Sequence, residues 1–160
     1  MRACVLSAAA LVLAADAHAQ QIADRDYLPA IAAPMYAPGR GPTVCIDEAH
    51  HNFHTLGERF AAFGKLLERD GYRVIGSARR WDVRGPDECD VLVISNAQPS
   101  DAEWSAYPYP TPSAFTDPEI AALRQWVQGG GRLLLIADHM PLAGAAAKLA
   151  LAFDVEFSDG

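Results

Sequence analysis

Short apolar runs alternate with helical patterns from residue 43 onward. Four of the runs have the length of strands, and the third and fourth are apolar at nearly every position, as strands buried on both faces of a parallel sheet are. The predicted strands are residues 43–47, 72–76, 90–95 and 132–137, and a fifth is predicted to begin at 155–157. With the helical segments between them, the order is strand, helix, strand, strand, helix, strand, helix, strand. This order predicts an open, mainly parallel, doubly wound α/β sheet.

Two Thr-x-x-Glu patterns mark the expected starts of helices. In such a capping box, the Thr side chain accepts a hydrogen bond from the Glu backbone N–H, and the Glu side chain accepts one from the Thr backbone N–H. Residues 55–58 predict the start of the first helix, and residues 116–119 predict the start of the second. We expect Gly71 to end the first helix and the glycines at 129–131 to end the second. A third helix, rich in small residues, is predicted over 142–153.

The N-terminal segment, residues 1–19, has the pattern of a secretory signal peptide. Arg2 supplies a positive start, an apolar stretch follows, and Ala17-His18-Ala19 forms an A-x-A cleavage site. We therefore predict export to the periplasm or the medium after cleavage near Ala19. The apolar stretch is shorter than the roughly 20 residues of a membrane-spanning helix. Residues 20–42 are rich in Pro and Ala and predict a linker, which precedes a domain over residues 43–160.

The chain is acidic, with a formal net charge of −7 at pH 7. Nucleic acids and anionic membrane surfaces bind patches of Lys and Arg, so we expect neither as a partner. No segment after the signal peptide is long and apolar enough to cross a membrane, so we also expect no membrane span. A small molecule is the expected partner, and no pattern in the sequence specifies an oligomeric state.

Two cysteines remain after the predicted cleavage, Cys45 and Cys89. Cys45 lies within the first apolar strand, and Cys89 lies at the entrance of the third. We interpret both as buried or half-buried free thiols, because free cysteine packs as a small apolar side chain. The alternative is a disulfide between them, which an oxidising compartment permits.

All histidines beyond the signal peptide follow the first and the fourth predicted strands. In open α/β sheets, ligands bind in the crevice beyond the carboxyl ends of the strands. The ends of the first, third and fourth strands therefore predict a polar pocket for a small ligand. The candidate ligand-binding residues are Asp47, His50, His54, Asn96, Asp138 and His139.

An alternative reading of these residues is a divalent metal site in a metal-dependent hydrolase. Imidazole and carboxylate groups are ligands of Zn²⁺ and similar ions. The candidate metal ligands are His50, His54, Asp138 and His139. Asp47 or Glu48 would then act as the general base on a metal-bound water. No HExxH motif is present, and side chains of these types also bond the backbone of loops and cap helices.

A long connection, residues 97–115, leaves the carboxyl end of the third strand and is expected to overhang the same crevice. It carries Trp104, Tyr107, Tyr109 and Phe115 among several prolines. Connections longer than about 12–15 residues are often functional lids. A rigid surface loop that covers the sheet edge is the alternative. A third functional hypothesis is a protein-interaction module that uses this loop.

Three stretches, residues 44–55, 115–123 and 129–141, resemble a known family. They are similar to an uncharacterised bacterial family of class I glutamine amidotransferase-like domains, usually labelled as a domain of unknown function. The resemblance covers most of residues 43–160, and it implies a flavodoxin-like sheet and, in many members, export. Amidotransferases carry a cysteine nucleophile on the elbow after a strand, whereas this chain has Ala137-Asp138-His139 there. The resemblance therefore implies no amidotransferase activity.

Members of this family continue past the position of Gly160, so the resemblance also predicts further strands beyond it. Their absence would make the chain either a natural short form or a truncated reading frame. Together, the patterns and the resemblance predict an exported amidotransferase-like domain that lacks the catalytic cysteine. We expect it to bind a small ligand at the carboxyl ends of its strands.

Overall fold

The computed structural model describes residues 22–82 and 84–160 and shows an α/β fold with a sheet of four parallel strands. The strands are β1 (Thr43–Asp47), β2 (Arg73–Ser77), β3 (Val91–Ser95) and β4 (Arg132–Ile136). The helices are α1 (Ala61–Arg69), α2 (Asp117–Gln128) and α3 (Leu142–Leu151), with a short 3-10 helix at Trp104–Ala106. The architecture is compatible with a flavodoxin-like fold. The strand predictions for β1 to β4 are confirmed to within one residue at each end.

The strand order β2-β1-β3-β4 places the two central strands where the chain changes direction. From β1 the chain runs outward to β2, and it then returns to the other side of β1 to build β3 and β4. Such a reversal leaves a crevice between the carboxyl ends of the two strands on which it occurs. The crevice of this sheet therefore lies between the ends of β1 and β3, which are Asp47 and Ser95.

Hydrophobic side chains cover both faces of the sheet. Val44, Ile46 and Val93 pack on one face, against the apolar side of α1. The other face carries Cys45, Leu92 and Ile94 together with buried residues of α2 and α3. Successive residues of a strand point to opposite faces, so β1 and β3 are buried on both sides. This is the reason that their sequences are apolar without alternation.

The second capping box is present as predicted. The backbone N–H of Thr116 donates to Glu119 Oε2 at 2.8 Å, and the Glu119 N–H donates to Thr116 Oγ1 at 3.4 Å. α2 begins at Asp117, with Pro118 in its first turn. Proline fits there because the first turn has no intrahelical partner for its missing N–H group.

The prediction of the first capping box is wrong, because α1 begins at Ala61 and not after Thr55. The Glu58 carboxylate pairs with Arg25 at 2.5 Å, so it does not return to the backbone of Thr55. The Thr55 carbonyl instead accepts from the N–H groups of Glu58 and Phe60, and residues 56–60 form turns. A tertiary contact with the N-terminal segment thus replaces the local cap.

The prediction of two free thiols is also wrong, since Cys45 and Cys89 form a disulfide. The register of the sheet sets Cys45 opposite Leu92, and Cys89 stands three residues before Leu92 in the turn that enters β3. The two Cα atoms lie 5.7 Å apart, which is within the usual range for a disulfide. Pairing between β1 and β3 therefore brings together two cysteines that lie far apart in the sequence.

The predicted fifth strand is absent from the described residues. α3 ends at Leu151 and not at residue 153, and Asp154 takes a positive φ of 60° that turns the chain. The Val155 N–H donates to the Ala150 carbonyl at 3.2 Å, so residues 154–160 fold back beside α3 and add no strand to the sheet.

The N-terminal segment meets the domain at one end of α1. The predicted signal peptide, residues 1–19, lies outside the described residues. Residues 22–42 form no helix or strand, but Gly41 donates to the Gly71 carbonyl at 2.8 Å and the Tyr36 ring contacts the Tyr72 ring. Within the described ranges, no helix is long and apolar enough to cross a bilayer.

Candidate functional site

A continuous hydrogen-bond network joins the carboxyl ends of β1, β3 and β4. It begins in the core beneath the crevice and ends at the surface just after β4. All of the predicted ligand-binding residues belong to it: Asp47, His50, His54, Asn96, Asp138 and His139. The structure therefore brings together the predicted set, although its members lie at different depths.

The buried end of the network is the His50 imidazole. Its Nδ1 lies 2.8 Å from Asp47 Oδ2, and its Nε2 lies 3.2 Å from Glu119 Oε1. The ring is fully buried and packs between Trp81 and Phe115, with centroid distances of 4.8 and 4.6 Å. The two ring nitrogens therefore face two carboxylates, one at the end of β1 and one in the first turn of α2.

Glu119 joins this buried end to the start of α2. Burial alone would raise the pKa of its carboxyl group, but hydrogen bonds from the Thr116 backbone and hydroxyl, and then from His50, outweigh burial and lower the pKa. The Arg80 Nε lies 3.0 Å from Glu119 Oε1 and gives the carboxylate a cationic partner. Glu119 is therefore a carboxylate that caps α2 and also holds His50.

Sequence reasoning missed the contact of Glu119 with His50 and the parts played by Arg80 and Trp81. The capping pattern placed Glu119 at a helix start, but it carried no information on what that helix end would face. Arg80 and Trp81 lie in the connection between β2 and β3, which has no periodic pattern. Only the packing of α2 against the end of β1 reveals these roles.

Asn52 bridges the ends of the two central strands. Its Nδ2 donates to Asp47 Oδ2 at 3.0 Å and to the Ser95 carbonyl at 3.3 Å, and its Oδ1 accepts from the His50 N–H at 3.0 Å. The side chain is buried, so these partners replace water for all of its polar atoms. Asn52 thus carries the network across the crevice from β1 to β3.

His54 occupies the middle of the network. Its Nδ1 lies 2.7 Å from Ser95 Oγ, and its ring stacks on Phe60 at a centroid distance of 4.8 Å. Burial lowers its pKa, and the charges of Arg59 and His139 lower it further, against an opposing contribution from Asp138. His54 is therefore a neutral imidazole at neutral pH.

The surface end of the network is the Asp138–His139 pair. Asn96 Nδ2 donates to Asp138 Oδ1 at 2.9 Å, the Asp138 N–H donates to Asn96 Oδ1 at 3.2 Å, and His139 Nδ1 lies 2.5 Å from Asp138 Oδ1. Burial would raise the pKa of Asp138, but the hydrogen bonds from His139 and Asn96 hold it below its usual value. The two side chains are 42% and 46% exposed, so they are open to a ligand.

The other members of the predicted set lie below the surface. Asp47, His50 and Asn96 are fully buried, and His54 is 8% exposed. Their burial closes them to direct contact with a ligand, and Asn96 among them holds Asp138. Glu48 is the other proposed general base. Its Oε1 accepts a hydrogen bond from the Leu56 backbone N–H at 2.8 Å and so holds the loop after β1 in place.

The geometry does not fit the metal-site hypothesis. Within residues 22–82 and 84–160, no group of three or more His, Cys, Asp or Glu side chains is arranged to hold a metal ion. His50 is enclosed by two carboxylates, whereas His54 lies near Ser95 Oγ. Asn52 stands between the two histidines in the network. Asp138 and His139 bond each other at the surface end of the network, and His50 lies at its buried end.

A cleft of about 320 Å³ is lined in part by the two residues that follow the surface pair. Its lining consists of Ser105, Tyr107, Pro108, Tyr109, Thr111, Met140 and Pro141. Met140 and Pro141 directly follow His139, and the other residues belong to the connection over 97–115. The expectation that this connection overhangs the strand ends is therefore confirmed. We call this pocket the tyrosine cleft.

Two larger cavities lie away from the strand ends. One, of about 600 Å³, runs between α2 and α3 and is lined by residues such as Arg124 and Lys148. The other, of about 440 Å³, lies beside β4 and is lined by apolar side chains such as Leu133 and Phe153. Neither contains a residue of the predicted set, so size alone does not identify the site.

Comparisons of the chain with family models, with curated proteins and with solved structures give no match.

Proposed function

We propose that this chain is an exported domain that binds a small ligand at the carboxyl ends of its parallel strands. Asp138 and His139 are the groups that contact the ligand. The observation that carries the proposal is the position of this pair. It lies open to solvent at the crevice edge, and it is held from beneath by Asn96, which is fully buried.

The buried network prepares the pair for binding. Asp138 bonds Asn96 through both its side chain and its backbone N–H, so its position is fixed before a ligand arrives. A group that is already ordered loses little conformational entropy on binding. The hydrogen bonds from Asn96 and His139 are both made to Oδ1 of the carboxylate. In this proposal, Oδ2 accepts a hydrogen bond from a hydroxyl or amino group of the ligand.

The chemistry after β4 supports binding without amidotransfer. An amidotransferase-like elbow would present a cysteine there, but the chain has Asp138 and His139. Both cysteines of the described residues are joined in the Cys45–Cys89 disulfide, which leaves neither as a thiolate nucleophile. The proposal is thus an amidotransferase-like domain that has kept the ligand crevice of the fold and lacks the catalytic cysteine.

The disulfide also supports export. Disulfides persist mainly in secreted and periplasmic proteins, because the cytosol keeps thiols reduced. The bond between Cys45 and Cys89 therefore agrees with the signal peptide proposed from residues 1–19 and cleavage near Ala19.

A ligand-observed NMR screen tests the binding proposal. The full chain, exported and purified, is mixed with a library of small sugars, amines and carboxylic acids. We expect hits whose signals are lost with Asp138→Asn and with His139→Gln. His51→Gln is the matched control, because His51 Nδ1 also lies 2.5 Å from an exposed carboxylate, that of Asp101, and should leave binding unchanged. Hits that persist in both Asp138→Asn and His139→Gln, or a library without hits, would contradict the proposal.

A further inference from the structure

The tyrosine cleft is lined by hydroxyl groups and ring faces. Ser105, Tyr107, Tyr109 and Thr111 each carry a hydroxyl, and the remaining lining residues are proline and methionine. Pockets for small molecules combine an apolar lining with a few polar groups that fix orientation. The cleft has this composition, and all of its polar side chains are neutral.

Charge restricts the ligand further. The lining contains no Lys or Arg. Carboxylates surround it instead: Glu103 and Asp138 each lie two residues from a lining residue, and Asp159 accepts the Thr111 backbone N–H at 2.7 Å. Hydrogen bonds from His139 and Asn96 hold the pKa of Asp138 below its usual value. A phosphate or carboxylate ligand would meet a negative charge there without a compensating cation. A neutral ligand with several hydroxyl groups has no such penalty, and it can donate to the carboxylate.

One tyrosine ring is held in place and the other is open. The Tyr107 hydroxyl donates to the Ser100 carbonyl at 2.7 Å, which fixes that ring. Tyr109 also lines the cleft and is 79% exposed, so its ring presents a large apolar surface to solvent. The C–H groups on one face of a pyranose ring form a flat apolar patch with hydroxyls around its edge. Such a ring would cover Tyr109 while its hydroxyls reach polar groups.

The connection that carries these rings is anchored. The Thr111 N–H donates to Asp159 Oδ2 at 2.7 Å, and the Ala114 N–H donates to the Ala145 carbonyl of α3 at 2.9 Å. The volume of about 320 Å³ is at the lower end of small-molecule pockets. It fits a monosaccharide or disaccharide unit better than a large cofactor.

We propose that the tyrosine cleft binds a pyranose ring of a neutral oligosaccharide, stacked on Tyr109, with its hydroxyl groups bonded to Asp138 and His139. The inference rests on the proposed function, because it names the ligand class of that same site.

Isothermal titration of the full chain with neutral oligosaccharides tests the inference. The panel contains di- to tetrasaccharides of glucose, xylose, mannose, galactose and N-acetylglucosamine. We expect at least one of them to bind, and Tyr109→Ala to weaken that binding by about tenfold, the usual scale for loss of an aromatic contact. The matched control is Tyr27→Ala, which removes another exposed tyrosine, 50% exposed, in the N-terminal segment and should leave the affinity unchanged.

The same titrations with choline, glucuronic acid and glucose 6-phosphate separate the two proposals. If one of these charged compounds binds, loses its binding with Asp138→Asn, and no neutral sugar binds, the carbohydrate inference is overturned and the proposed function stands. Neutral sugar binding that survives Tyr109→Ala also overturns the inference. If no compound of any class binds, both proposals fail.

Discussion

Asn96 and Asp138 exchange two hydrogen bonds across the ends of β3 and β4. The amide Nδ2 of Asn96 donates to Asp138 Oδ1 at 2.9 Å, and its Oδ1 accepts the Asp138 backbone N–H at 3.2 Å. Asn96 has a positive φ of 48°, a conformation that asparagine tolerates better than most other residues. A buried amide thus supports the most exposed carboxylate of the network, and it fixes where a ligand would meet the protein.

Substitution of Asn96 separates its side-chain role from its backbone role. We expect Asn96→Ala to lower the free energy of unfolding by about 2–4 kcal/mol, since it removes buried hydrogen bonds and strains the backbone. Asn96→Gly avoids the strain but still lacks the hydrogen bonds. It should therefore lower the free energy of unfolding by less than Asn96→Ala does. Urea unfolding measures both, and carboxyl NMR should show the pKa of Asp138 rising in each variant. An Asn96→Gly variant as stable as the native chain would show that the Asn96 side chain does not support Asp138.

His50 is expected to be a structural requirement. His50→Leu leaves the Asp47 and Glu119 carboxylates buried beside an apolar side chain that donates nothing. A buried polar group left without its hydrogen-bond partner costs about 1–3 kcal/mol, and more where the group is charged. His51→Gln is the control, because this neighbouring side chain is exposed and its replacement should change stability by less than about 0.5 kcal/mol. Chemical denaturation compares the two, and equal effects would show that the buried pairs contribute nothing.

Acid should destabilise the protein in two stages. Burial lowers the pKa of His54 from its ordinary value of 6.5, so protonation of this ring favours the unfolded chain. Its contribution is complete above pH 6.5 and is lost as the pH falls below that value toward the folded pKa. Glu119 and Asp138 also have lowered pKa values, and their stabilisation is lost at more acidic pH, below their ordinary values of 4.5 and 3.8.

Urea unfolding at pH 8, 7, 6 and 5 measures the first stage. The free energy of unfolding should fall between pH 7 and pH 5 in the native chain and in His51→Gln. The fall should be smaller in His54→Gln, which cannot titrate at that position. An unchanged slope in His54→Gln would assign the pH dependence to another group.

The disulfide is expected to stabilise the junction of the two central strands. It closes a long loop, with the cysteines 44 residues apart, and such crosslinks typically contribute about 2–4 kcal/mol. The double variant Cys45→Ala, Cys89→Ala should therefore unfold at lower urea concentration. Thiol labelling of the denatured, unreduced chain followed by peptide mapping should modify neither residue. Labelling of both would show that they are free thiols in the isolated protein.

Local patterns predicted the sheet and the positions of the polar side chains. Strands β1 and β3 were readable because apolar runs follow from burial on both faces. β4 has an equally apolar sequence, although it is a partly exposed edge strand. α2 was readable because Thr116 and Glu119 complete its cap within four residues. The carboxyl ends of parallel strands share one edge, so the topology alone brings Asp47, Asn96 and Asp138 together.

The features that were mispredicted or missed depend on partners far away in the chain. Glu58 pairs with Arg25 and so does not cap α1. Cys45 forms a disulfide with a cysteine 44 residues away, and His50 contacts Glu119 of α2. The burial of each side chain was not predictable either, since the sequence did not distinguish the buried His50 from the exposed His139. The long-range partners and the burial both depend on how the helices pack on the sheet, which no local pattern specifies.

Gly144 provides a test of how α3 and the C-terminal segment support the tyrosine cleft. Replacement of a glycine inside a helix by alanine usually stabilises a protein by about 0.5–1 kcal/mol. Here a Cβ would overlap the Asp159 carboxylate and press on Thr111, so we expect Gly144→Ala to destabilise by about 1–3 kcal/mol instead. In an Asp159→Ala background most of that cost should disappear, because the overlapping carboxylate is gone. Thermal unfolding of the two single variants and the double variant measures the coupling. Additive effects would mean that Asp159 does not pack on Gly144, and the anchor of the cleft through Thr111 would then be lost as well.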